Sequence, residues 1–321
     1  PAAVPALVER ARSGPLPLLG LMTMAPLMAE TQAAVRGARE VFERAAALAR
    51  TLTASAFVGG RVRLSMGMSQ DFEEAVRAGA HLVRGGSLGV IRPGLYCSQI
   101  AVPESWLLPL ADGVDLAQVA AMPVAGITAW QALHARAHVD DTDRVLVFGA
   151  SGGVGALAIQ LAKAAGAEVW GQTGSPAKVE GIVANGADNV IVTDADGVEA
   201  AVGDFAPTVI LDSLGGPFTD AAIACIANQG RLVVYGTSNN EHVSINLRRL
   251  YRKGVNLLGY AGLVDTPEEQ RAALDTLMSM MAAGTLHVPI GDVLPLSGAA
   301  EAHARILGRG VEGKILLDCR I

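Results

Sequence analysis

Seven residues, Gly149-Ala150-Ser151-Gly152-Gly153-Val154-Gly155, join a short apolar run, Arg144–Phe148, to an alanine-rich stretch of helical periodicity. That order, strand then glycine turn then helix, is chemically informative. Glycines let the backbone approach a pyrophosphate, and the helix start offers free N–H groups and the positive end of its dipole. Gly155 lets helix and sheet pack closely. A glycine motif alone is a weak signal, and a merely structural turn is the competing reading. Its setting inside a βαβ unit is what a nucleotide-binding fingerprint requires. Ser151, Gly152, Gly153, Val154 and Gly155 are therefore the candidate pyrophosphate residues.

Cofactor choice is read at the end of the next strand, where an acidic residue holds a ribose 2′-hydroxyl in NAD sites. This sequence has Gln172-Thr173-Gly174-Ser175 there, with Lys178 a turn later. No carboxylate would repel a 2′-phosphate, and Ser175 and Lys178 could bind one, so the expected cofactor is NADPH (NADP). The plainer reading makes both of them ordinary helix-start residues. Asp212–Gly216 and Tyr235-Gly236-Thr237-Ser238 each follow another strand, at the edge where ligands of parallel sheets sit.

The elements that must position these residues follow from periodicity. Residues 4–12 read as a helix end, and Glu30–Leu52 and 70–79 as helices. Leu16–Met24, Arg61–Met66 and His81–Arg84 read as strands, a β-α-β-α-β rhythm that implies parallel pairing. The character changes near residue 91: Leu95–Val102 is a strand of mixed polarity, followed by a loop over Pro103–Val114. A helix from Asp115 is interrupted by Pro123 and resumes over Gly126–Ala137. Strands at 144–148, 167–172, 189–193, 208–212 and 231–236 alternate with helices at 153–165, 176–185 and 217–228. A late helix spans 267–283, and Gly313–Leu317 closes as a strand. The fold class is α/β: a Rossmann doubly wound parallel sheet preceded by other α/β material.

Composition narrows the rest. With 321 residues, two domains fit. Apolar residues make up 51% and aromatics only 4%, so Ala, Val, Leu and Ile must build the core. The net charge of −6 is spread without long runs, which gives no basic stripe for nucleic acid and no polybasic patch for a membrane surface. Cys97, Cys225 and Cys319 are far apart, so neither a disulfide framework nor a metal cluster is expected, and a reducing, cytoplasmic setting fits. The chain begins at Pro1, as a processed or partial product would, with no visible signal peptide. Ser13–Ala29 lacks charge but contains Pro15, Pro17 and Pro26, and it is shorter than the ~20 residues of a membrane helix.

Residues 91–321 resemble the medium-chain dehydrogenase/reductase superfamily, in particular its zinc-independent quinone oxidoreductases of the zeta-crystallin type. The matching stretches, in order, are Ala125–Trp130, Val145–Gly155, Ile159–Lys163, Gly186-Ala187-Asp188, Asp212–Gly216, Gly230–Gly236 and Gly313–Leu317. The resemblance implies hydride transfer from NADPH to a quinone or an activated alkene (an enone or enoyl thioester). It places Ser151–Gly155 on the pyrophosphate, and Gly174, Ser175 and Lys178 at the adenosine ribose. Gly236, Thr237 and Ser238 fall near the nicotinamide, with Thr128 beside its ring as the one catalytic candidate; the competing reading of Thr128 is a helix hydroxyl bonded to its own backbone. It also implies a homodimer through edge strands near 231–260. No zinc is expected, because the Cys and His ligands of the alcohol dehydrogenase branch have no counterpart here. Members of the family begin with a GroES-like barrel, of which only the end, Leu95–Pro103, is recognisable.

Residues 16–90 resemble the last third of pyridoxal-phosphate homeostasis proteins, barrels related to the alanine racemase N-terminal domain. Leu19–Pro26, Leu64–Asp71 and Val83–Gly86 carry that likeness, with Ser65, Arg84, Gly85 and Gly86 at the phosphate-site positions. No lysine precedes Lys163, so the Schiff-base residue is absent. The expected organisation is a partial β/α-barrel-like segment over 1–90, a GroES-like remnant over 91–124, a Rossmann domain over 125–260, and a C-terminal helix with a return strand over 261–321: a chimera joined near residue 90. Three functions compete: an NADPH-dependent quinone or enone reductase, a pyridoxal-phosphate-binding protein, and a nucleotide-binding but catalytically inactive chimera.

Overall fold

The computed structural model describes residues 20–23, 43–45, 47, 48, 50, 63–66, 82–88, 90–93, 96, 115–308 and 310–319. The chain forms two compact units: 1–107 with 294–307 and 317–321, and 108–293 with 308–316.

In the first unit, β1 (Gly20–Thr23), β2 (Arg63–Met66) and β3 (Leu82–Leu88) pair in parallel, as the β-α-β-α-β rhythm requires. β4 (Val90–Pro93) then turns back antiparallel on β3, with register shifts around Gly86. The sequence reading ended β3 at Arg84 and gave no strand at 90–93. Within helix 30–52, residues 43–45, 47, 48 and 50 are helical. The helices at 4–12 and 70–79, the loop at 103–114 and the strand at 95–102 (apart from Tyr96, which lies outside any strand) fall outside the described residues.

The second unit is built on six parallel strands: β5 (Arg144–Val147), β6 (Glu168–Thr173), β7 (Asn189–Val192), β8 (Val209–Asp212), β9 (Arg231–Val234) and β10 (Asn256–Gly259). Their order is β10-β9-β8-β5-β6-β7. This is the doubly wound Rossmann arrangement, with its switch point between β5 and β8. β5 and β8 are central and covered on both faces, which is why they read as unbroken apolar runs.

The helices are α1 (Leu116–Ala121), α2 (Pro123–Trp130), α3 (Gly153–Ala164), α4 (Val179–Ala184), α5 (Val198–Val202), α6 (Pro217–Cys225), α7 (Leu247–Lys253), α8 (Pro267–Ala282) and α9 (Ala299–Leu307). Pro123 does not leave a gap: it starts α2, where its missing N–H costs nothing, and α2 runs on as a π-helical stretch, Gln131–Ala137. The segment read as helix 176–185 opens with a 3₁₀ turn over Pro176–Lys178.

One face of the sheet packs against α2, α3 and α8, through Leu133, Val147, Leu157, Ile159, Leu211 and Leu277. The other packs against α5 and α6, through Leu146, Phe148, Val202, Phe205, Ile210 and Ile223. Each such side chain, fully buried, contributes about 1.5–3 kcal/mol. The N-terminal edge is tied by Asp143, 4% exposed, which accepts from the Thr208 hydroxyl (2.7 Å) and pairs with Arg231.

Two glutamines hold the C-terminal segment. Gln118 on α1 exchanges hydrogen bonds with both backbone groups of Val288 (2.9 and 2.6 Å). Gln160 on α3 does the same with His287 (2.9 and 3.0 Å). The chain then enters β11 (Ile290–Pro295), which pairs with β12 (Lys314–Asp318).

Candidate functional site

At the C-terminal end of β5 the glycine turn is closed by its own backbone. Gly149 has φ +64°, a left-handed conformation that favours glycine, and a Cβ there would lie 2.7 Å from the Ser213 Oγ. Gly152 N–H donates to the Gly149 carbonyl (2.9 Å). A Cβ on Gly155 would meet that same carbonyl oxygen at 2.6 Å. Gly155 therefore lets α3 press onto the turn, as the sequence required. Gly152, in extended conformation, precedes the helix with no side-chain cap, so the first N–H groups of α3 have no partner within the helix. Ser151, Gly153 and Val154 are half-buried and Gly152 is exposed.

Gln172 organises the next strand end. It is 1% exposed, accepts from Gly149 N–H (3.2 Å) and donates to the Thr193 carbonyl (2.7 Å), joining the ends of β5, β6 and β7. Gly174 is exposed with open space where a Cβ would stand. The backbone N–H of Ser175 donates to the Thr173 hydroxyl (3.2 Å), and its carbonyl accepts from Lys178 N–H (3.2 Å). The Lys178 amine donates to the Val311 carbonyl (3.2 Å).

On the other side of the switch point, Asp212 is fully buried. It accepts from Leu214 and Gly215 N–H (2.8 and 2.9 Å) and from the Thr219 hydroxyl (2.6 Å), so it shapes a turn. Ser213 is a meeting point. Its hydroxyl donates to the Phe148 carbonyl (3.1 Å), and its carbonyl accepts from the N–H and hydroxyl of Ser238 (3.2 and 3.0 Å). A Cβ on Gly236 would lie 2.8 Å from that carbonyl oxygen. The turn at 149–155 and the loop at 236–238 thus converge on Ser213, with Thr237 and Ser238 exposed. Thr128 is half-buried on α2, and its hydroxyl donates to the Val124 carbonyl of its own helix (2.7 Å), the ordinary back-bond of a helical threonine.

The sequence reading missed one residue at the turn itself. Lys314, at the start of β12, donates its backbone N–H to the Pro289 carbonyl (2.8 Å), and Gly313 beside it has φ +73°. Its side chain lies over α3: a Cβ on Gly153 would be 2.7 Å from the Lys314 Cε and 3.4 Å from its Nζ. Burial holds its pKa below the ordinary lysine value. No partner for the amine occurs among the described residues. A lysine opening an apolar strand, Gly313-Lys314-Ile315-Leu316-Leu317, was the available signal. A desolvated ammonium beside a helix N-terminus suits an anion.

A surface cavity of about 400 Å³ between α5, α6 and residues 240–244 is lined by Asp196, Glu199 and Asp220 along with His242 and Arg249, and its acidic side suits no phosphate. Among the described residues no group of three His, Cys, Asp or Glu could hold a metal, and no helix is long and apolar enough to cross a membrane.

A family profile described as zinc-binding dehydrogenase matches residues 153–279. The quinone oxidoreductase of Pseudomonas aeruginosa is 30% identical over 232 residues, 70% of this chain and 71% of that protein. Among solved structures, an NAD-dependent alcohol dehydrogenase superposes with a TM-score of 0.64 at 29% identity, covering 73% of this chain and 67% of its own. Escherichia coli quinone oxidoreductase complexed with NADPH superposes at 0.59 with 28% identity, covering 65% and 67%. The fold and turn define a medium-chain dehydrogenase/reductase, and the chain belongs to the quinone oxidoreductase branch of that superfamily. It is an oxidoreductase by class.

Proposed function

We propose that this chain binds NADPH and reduces a quinone or an activated alkene. The observation that carries this reading is Lys314 over Gly153: an unpartnered, desolvated ammonium at the start of α3 suits a pyrophosphate. The site fits the dinucleotide in other respects. The glycine cradle leaves no room for side chains and no carboxylate follows β6; Ser175, and Lys178 on exchanging its Val311 carbonyl partner, would receive a 2′-phosphate.

NADPH would supply the hydride, and the chain would do the rest. Ser151–Gly155 and Lys314 would hold the pyrophosphate, and Gly174, Ser175 and Lys178 the phosphorylated ribose. Gly236, Thr237 and Ser238 would orient the nicotinamide half, with Thr128 beside it. The parallel sheet's open edge at β10, with Leu257 exposed at 44%, would be where two copies meet. A cytoplasmic setting accords with this reading.

Titration of the purified protein with NADPH and NADH, followed by nicotinamide fluorescence, tests the reading. Saturable binding that favours NADPH, followed by NADPH oxidation on adding a quinone, is expected. Binding of neither nucleotide overturns it. NADPH binding without turnover on any quinone or enone would overturn the catalytic part alone.

A further inference from the structure

Tyr235 stands at the end of β9, directly before Gly236-Thr237-Ser238. Its backbone N–H donates to the Asp212 carbonyl (2.9 Å), and its ring packs on the same side of the sheet as Val154 and Trp130. Its hydroxyl oxygen is buried and has no hydrogen-bond partner among the described residues. Ser213 faces it, but the two do not form a well-made bond, and the Ser213 proton goes to Phe148. The nearby Asp212 carboxylate is already occupied by Leu214, Gly215 and Thr219. A buried hydroxyl left unpaired is unfavourable, and phenylalanine would fill the same space without it. A partner from outside the fold would satisfy the hydroxyl. Ser213, which faces the hydroxyl, also meets Gly149 of the glycine turn and Gly236 and Ser238 of the following loop.

Resting on the cofactor reading above, we propose that Tyr235 binds the nicotinamide nucleotide half of NADPH, its hydroxyl donating a hydrogen bond to an oxygen of that half. It is a binding and positioning residue, distinct from those that hold the phosphates. Burial also keeps this phenol protonated, so it remains a donor throughout the working pH range.

The test is calorimetric titration of wild type and Tyr235→Phe with NADPH and with adenosine 2′,5′-bisphosphate, which lacks the nicotinamide half, together with melting of both proteins without ligand. Tyr235→Phe is expected to weaken NADPH roughly tenfold. It should leave the bisphosphate unchanged and should not lower the ligand-free melting temperature. Unchanged NADPH affinity, equal losses for both ligands, or a lower ligand-free melting temperature would each overturn the assignment; the last would mean that the hydroxyl already has an internal partner. If wild type binds the bisphosphate but not NADPH, this assignment falls while the phosphate site stands. If it binds neither, the cofactor reading itself falls and this inference with it.

Discussion

Lys314 lies across the space that a side chain at Gly153 would need, its Cε 2.7 Å from that position. Replacing Lys314 with methionine keeps the volume and removes the charge. NADPH affinity is expected to fall at least tenfold, the scale of one charge-assisted hydrogen bond, with no loss of ligand-free stability. Fluorescence titration and thermal melting check the two halves separately.

The same amine sets a pH dependence. Its folded-state pKa is lowered by burial, so between that value and the ordinary lysine value the unfolded chain binds the extra proton. Ligand-free stability from this group therefore rises with pH across that window. NADPH affinity should run the other way, flat below the folded-state pKa and falling as pH climbs through it, because only the ammonium attracts the pyrophosphate. In Lys314→Arg, which stays charged, the decline should vanish; a decline that persists would assign it to another group.

Gly155→Ala would drive a Cβ to 2.6 Å from the Gly149 carbonyl and 2.8 Å from the Ala150 Cα. Backbone on both sides cannot swing away, so the turn must open. We expect about 1–3 kcal/mol of destabilisation in chemical denaturation and loss of NADPH binding. Full binding by a folded variant would show that the close packing is dispensable.

Arg231→Ala strands Asp143, 4% exposed, without its cation. Breaking such a pair costs about 3–5 kcal/mol. This lies at the N-terminal edge, so the fraction that remains folded should bind NADPH as wild type does.

Cys225 on α6 is a half-buried thiol whose pKa is pushed up to about 12 by desolvation. It should resist iodoacetamide at pH 8 until the protein unfolds, which peptide mapping by mass spectrometry would reveal.

The centre of the sheet was legible because its strands are covered on both faces: Val145–Phe148 and Val209–Leu211 are apolar without a break, and each ends in a glycine-bearing turn. The outer elements were not. β10 is mostly exposed and begins with Asn256, and α5 spans only Val198–Val202, too short to establish a period. β11 alternates half-buried and exposed residues, but it contains Gly291 and ends on Pro295, residues that read against a strand. The glycines of the site could be read because their role is local: a tight turn declares itself within seven residues. Lys314 and Tyr235 could not be read the same way. One is defined by a glycine far earlier in the chain, and the other by an unused hydroxyl on a ring that reads as core. In the sequence Gln172 reads only as the absence of a charge, while its work is to staple three strand ends.

The tether from Gln160 through His287, and from Pro289 to Lys314, returns the chain to the helix where it began, so α3 holds at its middle the segment that guards its start. On a ribosome this gives an order of events. Residues 144–259 emerge and can form all six parallel strands long before Lys314 is translated. A nascent chain at that stage has the glycine turn but not the cation above it. The nucleotide is therefore poorly suited to template the sheet during synthesis. It favours the finished protein, and its stabilising effect should be weak in any nascent chain stalled before Lys314.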